Sequence, residues 1–272
     1  MTQKKVCFIG AGNMTRSIVS GLVKSGYSPE LIEATNPSQP KLDAMVADFG
    51  IKVSNCNLDA AKAADVIVLG VKPHLMQIVC EELSGLDLSN KLIITIAAGV
   101  TAKRYGDYFK QEIKLIRTMP NTPTQIGVGL TGLYAGDEIS AEQKAIAETL
   151  MATGGEVVWV DKEDDLNQVI ALAGSSPAYF FLFLESMVES AIKGGMSEVA
   201  AREMAQQAAL GAALMAKQNP DVSLAQLRAN VTSKGGTTAQ AVETFEKGNL
   251  RGLVDNAMGN CIARAEEMAK QY

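Results

Sequence analysis

Hydrophobic and polar positions divide the chain into two stretches with different periods. Over about the first 160 residues, short apolar runs alternate with segments of helical length. The runs are Val6–Ile9, Leu31–Thr35, Asp65–Val71, Lys91–Ala97, Ile113–Arg117, Val128–Tyr134 and Glu156–Val160. They are rich in Val, Ile and Leu, are bounded by Gly, Pro, Asn or charge, and each predicts a strand. Continuous apolarity such as Val66-Ile67-Val68-Leu69 needs cover on both faces, as in a parallel sheet between helix layers. The stretches 13–26, 38–49, 74–83 and 140–153 have helical period. The alternation predicts a doubly wound α/β domain over residues 1–161.

From residue 162 to 272 the pattern predicts helices alone, rich in Ala and Met. Ser175-Ser176-Pro177 opens one, with Pro177 in its first turn, and Gly194-Gly195 closes it. Ser197 caps the next, which ends at Asn219-Pro220. The segment Ala178-Tyr179-Phe180-Phe181-Leu182-Phe183-Leu184 is apolar nearly all round. A helix with no polar face must be covered, and a small helical domain offers limited cover, so subunit association through this half is expected.

Composition narrows the function. Apolar residues are 47% and charged residues 20%, which is ordinary globular usage, and the net charge of −5 speaks against a nucleic-acid partner. Cys7, Cys56, Cys80 and Cys261 form no CxxC pair, so reduced thiols in a cytoplasmic protein are expected. With a single histidine, His74, a multi-histidine metal site is excluded and no metal is expected. No uninterrupted apolar run approaches the roughly 18 residues of a membrane span, and the start lacks a signal-peptide core, so no membrane partner is expected.

The first motif follows the first strand: Gly10-Ala11-Gly12-Asn13-Met14-Thr15. Gly10 permits a tight turn, Gly12 lets backbone approach a pyrophosphate, and the helix beyond points its positive end at that anion. Thr15 stands where the GxGxxG fingerprint has its third small residue. The second strand ends at Asn36-Pro37-Ser38, a neutral tip of amide and hydroxyl that tolerates a 2′-phosphate. Glu33 sits before the tip and alternates away from it, and Lys41 is the nearest cation. NADPH is therefore the expected cofactor, with NADH also accepted. Val71, Lys72, Pro73, Ala97 and Ala98 lie at neighbouring strand ends and are expected to touch it. His74 is read as the start of the next helix rather than as a catalytic acid, because nothing near it in sequence would orient its ring.

A second rich stretch is Asn230-Val231-Thr232-Ser233-Lys234-Gly235-Gly236-Thr237-Thr238-Ala239-Gln240. Thr237 and Gln240 have the spacing of a capping box, and the amides at 236–239 form a start where a small carboxylate can bind.

Together with Gly174-Ser175-Ser176-Pro177-Ala178-Tyr179 and Arg117-Thr118-Met119-Pro120-Asn121-Thr122-Pro123, this stretch resembles pyrroline-5-carboxylate reductase over essentially the whole chain. The resemblance implies NAD(P)H-dependent reduction of 1-pyrroline-5-carboxylate to L-proline, the last step of proline synthesis. It also implies a Rossmann-like N-terminal domain and a helical C-terminal domain that builds a homodimer, often assembled further into a decamer. By matching motifs, Ser233, Gly236, Thr237 and Thr238 would hold the substrate carboxylate. Thr238 would face the ring nitrogen, so Thr238 and Ser233 carry the catalytic expectation, and Asn57 and Asn230 would lie near the cofactor. Lys234 stands where many members carry proline.

The residues alone agree with that chemistry. Hydride addition to a protonated cyclic imine needs position, an anion anchor and one hydroxyl, and no histidine. A β-hydroxyacid dehydrogenase shares the two-domain plan but needs a lysine near Ala178–Phe181, where this chain has Phe180 and Phe181 and no lysine before Lys193. A dinucleotide sensor would have no use for the Ser233–Thr238 stretch.

Overall fold

The computed structural model describes residues 3–271. Seven of its eight strands sit on the apolar runs, shifted by a residue or two at their ends: β1 (Val6–Ile9), β2 (Ile32–Thr35), β4 (Val66–Leu69), β5 (Leu92–Thr95), β6 (Lys114–Pro120), β7 (Gly129–Ala135) and β8 (Gly155–Trp159). The unforeseen strand is β3 (Lys52–Ser54), a short, half-exposed edge with no apolar pattern to read. One sheet results, in the order β3-β2-β1-β4-β5-β6-β7-β8. The first six strands pair in parallel, with Val6 opposite both Ile32 and Val66. β7 runs antiparallel to β6, Ile116 opposite Ala135. Only residues 121–128 join those two strands, which is too short for a parallel crossover.

Helices cover both faces. They are α1 (Asn13–Lys24), α2 (Gln39–Phe49), α3 (Asn57–Ala63), α4 (Met76–Leu83), α5 (Ala102–Phe109) and α6 (Ala141–Met151). The pattern did not predict α3 or α5. Alternation along β1 explains why both faces need cover: Val6 and Phe8 join the core with Ile18 and Leu22 of α1, whereas Cys7 and Ile9 join Met76, Leu83, Tyr105 and Phe109. Each such side chain contributes about 1.5–3 kcal/mol.

The chain separates into two compact units. One is the sheet unit, up to Ser175, with the last turns from Cys261; the other is Ser176–Asn260. The second unit holds α8 (Ser176–Lys193), α9 (Glu198–Gln218), α10 (Leu224–Asn230), α11 (Thr237–Lys247) and the beginning of α12 (Leu250–Gln271). Ser197 caps α9 by accepting from the Ala200 amide, as expected. Among the described residues this unit fully buries only two apolar side chains, Ala201 and Ala205, while Phe180 and Phe181 are 67% and 66% exposed. Helices with so little core do not stand alone.

α8 opens at Ser176 with Pro177 in its first turn, as expected, but α7 (Asp165–Val169) and a π-turn at Ile170–Gly174 precede it, which the pattern did not predict. One expectation is corrected here. Across Asp165–Lys193 an 18-residue window reaches a mean hydropathy of 1.4, enough by length and composition to cross a membrane. Counting uninterrupted runs missed this, because Gly174, Ser175 and Ser176 break the run without breaking the helix. Pro177 has no N–H to give the Ala173 carbonyl one turn back, and the Asn121 side chain gives one instead, at 3.0 Å. Asn121 Oδ1 meanwhile accepts from the Leu130 amide at 2.9 Å.

Candidate functional site

The sheet order reverses between β1 and β4, and an open cleft of about 530 Å³ lies at the carboxyl ends of β1, β2 and β4. Gly10 has φ +103° and donates its N–H to the Thr35 carbonyl at 2.9 Å. A Cβ there would lie 3.0 Å from the Gly70 carbonyl, so glycine is required by both conformation and space. Over Gly12 a Cβ would meet only the Gly70 oxygen, at 4.0 Å, which leaves open space above the turn. α1 starts there with no side-chain cap and no acid in its first turn, so its amides remain for an anion. Thr15 is fully buried, and its Oγ1 fills the place a Cβ on Gly70 would take. The third small residue of the fingerprint has in effect moved to the facing strand end. These residues fit a dinucleotide pyrophosphate.

Of the expected cofactor residues, Gly10, Gly12, Asn36, Ser38, Asn57, Val71 and Lys72 line the cleft. Ala11, Asn13, Met14, Pro73, Ala97 and Ala98 lie outside its lining, and Asn230 belongs to the helical unit. The neutral tip is held in shape by the Ser38 amide, which donates to Asn36 Oδ1 at 2.9 Å. Ser38 stands at the start of α2 with its hydroxyl unspent, Lys41 joins the lining, and Glu33 does not. Thr35, Asn55, Leu75, Ile78, Val79 and Glu82 also line the cleft and were not anticipated. The last four share one face of the turn into α4 and of α4 itself at a spacing of three and four, a helical period that could have been read. Exposed His74 lies in the 3₁₀ turn Pro73–Leu75, outside the lining, with no hydrogen bond to orient its ring among the described residues.

In the helical unit, Gly235 turns the chain at φ +73°, and the Gly236 amide closes the turn on the Ser233 carbonyl at 3.0 Å. The expected capping box of Thr237 and Gln240 does not form. The N-cap is Gly236, which has no side chain to spend, and Gln240 donates its backbone N–H to the Gly236 carbonyl. The amides of Thr237, Thr238 and Ala239 therefore have no side-chain cap, and the first turn carries no acid. Ser233, Thr237 and Thr238 are exposed, with hydroxyls that have no partner among the described residues, whereas Thr232 spends its own on the Arg228 carbonyl at 2.6 Å. Asn230 Oδ1 accepts from Gln226 at 2.7 Å, and Lys234 is exposed.

Two features of the sheet unit stay outside both places. Arg117, 8% exposed, donates at 2.6 Å to a Glu163 oxygen that also takes the Ala102 amide. Burial pushes the Cys7 and Cys80 thiols up to about 12, so neither is a nucleophile at neutral pH.

Comparison with known proteins matches residues 163–268 to a family described as pyrroline-5-carboxylate reductase dimerisation. Residues 5–99 match one described as NADP oxidoreductase, coenzyme F420-dependent. The chain is 50% identical to a pyrroline-5-carboxylate reductase of Vibrio alginolyticus over the full length of both, and 42% identical to one of Haemophilus influenzae over 98% of each. Among solved structures, a pyrroline-5-carboxylate reductase of Coxiella burnetii is 41% identical with a TM-score of 0.93, covering 98% of this chain and 99% of that one. A pyrroline carboxylate reductase of Plasmodium falciparum with NADP bound is 26% identical with a TM-score of 0.88, covering 99% of each.

Proposed function

The chain belongs to the pyrroline-5-carboxylate reductase family, and from that premise we propose how its residues divide the work. It reduces 1-pyrroline-5-carboxylate to L-proline as an NAD(P)H-dependent oxidoreductase acting on a C=N bond, in proline biosynthesis. NADPH, when bound, supplies the hydride.

In this reading the Gly10–Met14 turn and the first amides of α1 hold the pyrophosphate, and the neutral tip at Asn36 and Ser38 takes the 2′-phosphate. Asn57, Val71, Lys72 and Pro73, with Ala97 and Ala98 at the next strand end, flank the rest of the cofactor, and Asn230 is the residue of the helical half that we assign to it. The absence of an acid admits the 2′-phosphate, and the absence of an arginine keeps the preference for it modest, so NADH serves as well. Ser233, Gly236, Thr237 and Thr238 anchor the substrate carboxylate. The imine is protonated in water before hydride reaches its carbon, so the protein has no proton to deliver at that step. The Thr238 hydroxyl holds the ring nitrogen in place.

The observation that carries this reading is the start of α11, uncapped and acid-free, with three unspent hydroxyls around it. Such a start holds a carboxylate without arginine. The assay is NADPH oxidation with 1-pyrroline-5-carboxylate, set against NADP⁺ reduction with 3-hydroxyisobutyrate. Turnover of the imine alone is expected, and turnover of the hydroxyacid alone would overturn the reading.

The functional boundary we place near residue 161, just past β8. The exposed aromatic face of α8 and the 680 Å³ groove it forms with α9 suit a second copy of the chain, with dimers able to assemble into a decamer. Glu185, Glu189 and Arg202 line the same groove, and charges there suit a protein partner rather than lipid. Four unpaired thiols and a net charge of −5 fit a cytoplasmic enzyme that binds neither membrane nor nucleic acid.

A further inference from the structure

A hydrogen-bonded chain runs along one wall of the dinucleotide cleft. Thr35, fully buried at the end of β2, donates its hydroxyl proton to Asn57 Oδ1 at 2.6 Å. Asn57 Nδ2 in turn donates to Glu82 Oε2 at 2.8 Å. All three residues line the cleft. The direction of the chain is set by its far end, because a carboxylate only accepts and so takes the amide nitrogen. That leaves the amide oxygen for the threonine proton. Turning the Asn57 amide over would set its oxygen against the carboxylate and lose that bond, whereas the Thr35 hydroxyl could accept from the amide nitrogen as readily as it donates to the oxygen. Glu82 alone therefore fixes the orientation, and without it a half-exposed asparagine at the mouth of a cleft is free to flip.

A carboxylate is an unexpected neighbour for a polyanionic cofactor, since it repels phosphate. Its hydrogen bond to Asn57 gives it a use. Glu82 follows Leu75, Ile78 and Val79 on one helical face, so this wall is an apolar strip ending in a fixed polar group. A strip of that kind suits a flat purine with a polar edge or a ribose beside it. We propose that Glu82 is a positioning residue that locks the Asn57 amide, so that Asn57 presents one fixed donor and one fixed acceptor to the adenosine end of the cofactor. The inference rests on the reading of this cleft as the NADPH site.

The test uses the intact oligomer and two probes, NADPH and adenosine 2′,5′-bisphosphate, titrated calorimetrically without substrate. Glu82→Ala is expected to weaken both by the same factor, roughly five- to tenfold, the weight of one well-placed hydrogen bond. At saturating NADPH, kcat should stay within about twofold of wild type, so the loss falls on KM. Glu82→Gln keeps an accepting oxygen and should recover most of the affinity. Because Glu82 acts through Asn57, Glu82→Ala added to Asn57→Ala should cost nothing further. Glu82→Ala binding as tightly as wild type, or more tightly, would overturn the inference and leave only phosphate repulsion. Additive losses in the double variant would overturn it as well. Since substrate is absent, these results stand apart from the fate of the imine assay. A wild type that ignores the bisphosphate would instead remove the reading of the cleft, and this inference with it.

Discussion

Replacing Gly70 by alanine tests why the Gly10–Gly12 turn tolerates threonine at the third fingerprint position. A Cβ on Gly70 would fall 2.5 Å from Thr15 Oγ1, and 3.4 Å from both the Gly10 carbonyl oxygen and Ile96 Cδ1. The Thr15 hydroxyl is buried and has no hydrogen-bond partner, so nothing favours a new place for it. Overpacking of this kind costs about 1–3 kcal/mol. At about 2–4 °C per kcal/mol for a domain of this size, calorimetry should show Tm falling by roughly 3–10 °C. NADPH should also bind more weakly, because the strand end that moves is the one packed against Gly10. Thr15→Ala removes the obstructing atom together with an unpaired buried hydroxyl, so alone it should stay within about 1 kcal/mol of wild type. Combined with Gly70→Ala it should restore most of the lost stability, a coupling of about 1 kcal/mol or more. Gly70→Ala as stable as wild type, or a double variant no better than the sum of its parts, would refute the reasoning.

Ser38→Asp should shift the NADPH-to-NADH preference toward NADH by roughly tenfold in kcat/KM, by setting a carboxylate against the 2′-phosphate; an unchanged ratio would move the phosphate away from Ser38. Cys7 and Cys80 carry thiol pKa values raised from 9.0 to about 12 by burial. A raised acid pKa leaves stability intact below the unfolded value, so denaturation midpoints should hold up to about pH 9 and decline from there toward pH 12 as the unfolded thiols ionise. The Cys7→Ala/Cys80→Ala variant should flatten that decline. Light scattering at micromolar concentration should show a dimer or larger, and a stable 28.8 kDa monomer would remove the second-copy reading of α8.

The sheet was legible because a strand buried on both faces is a run of Val, Ile and Leu, as at Val66–Leu69. β3 was not, since Lys52-Val53-Ser54 pairs on one side only and needs no apolar pattern. α5 hid behind Ala102-Lys103-Arg104, although Tyr105 and Phe109 four residues apart are fully buried. The glycine turn could be placed from Gly10 and Gly12, but the exchange of small residues between Thr15 and Gly70 joins positions 55 apart and only the fold reveals it. The same holds for Asn121 and the π-turn before Pro177: two motifs distant in the chain serve one missing N–H. The Asn230–Gln240 stretch stood out by its residues, yet its helix start was misread as capped. Gly236 rather than Thr237 is the N-cap, and the difference leaves the first amides of α11 without a side-chain cap.

Steady-state kinetics of Thr238→Ala beside His74→Asn, with folding verified, tests the central claim most directly. Thr238→Ala should lower kcat by about one to two decades, for a hydrogen bond worth roughly 1–3 kcal/mol in the transition state, with NADPH affinity nearly intact. Ser233→Ala should act mainly on the KM for the imine, because the carboxylate it holds is unchanged by the reaction. His74→Asn should stay near wild type, as befits an exposed ring outside the cleft. An inactive His74→Asn beside an unharmed Thr238→Ala would contradict the account and give the chemistry to the histidine.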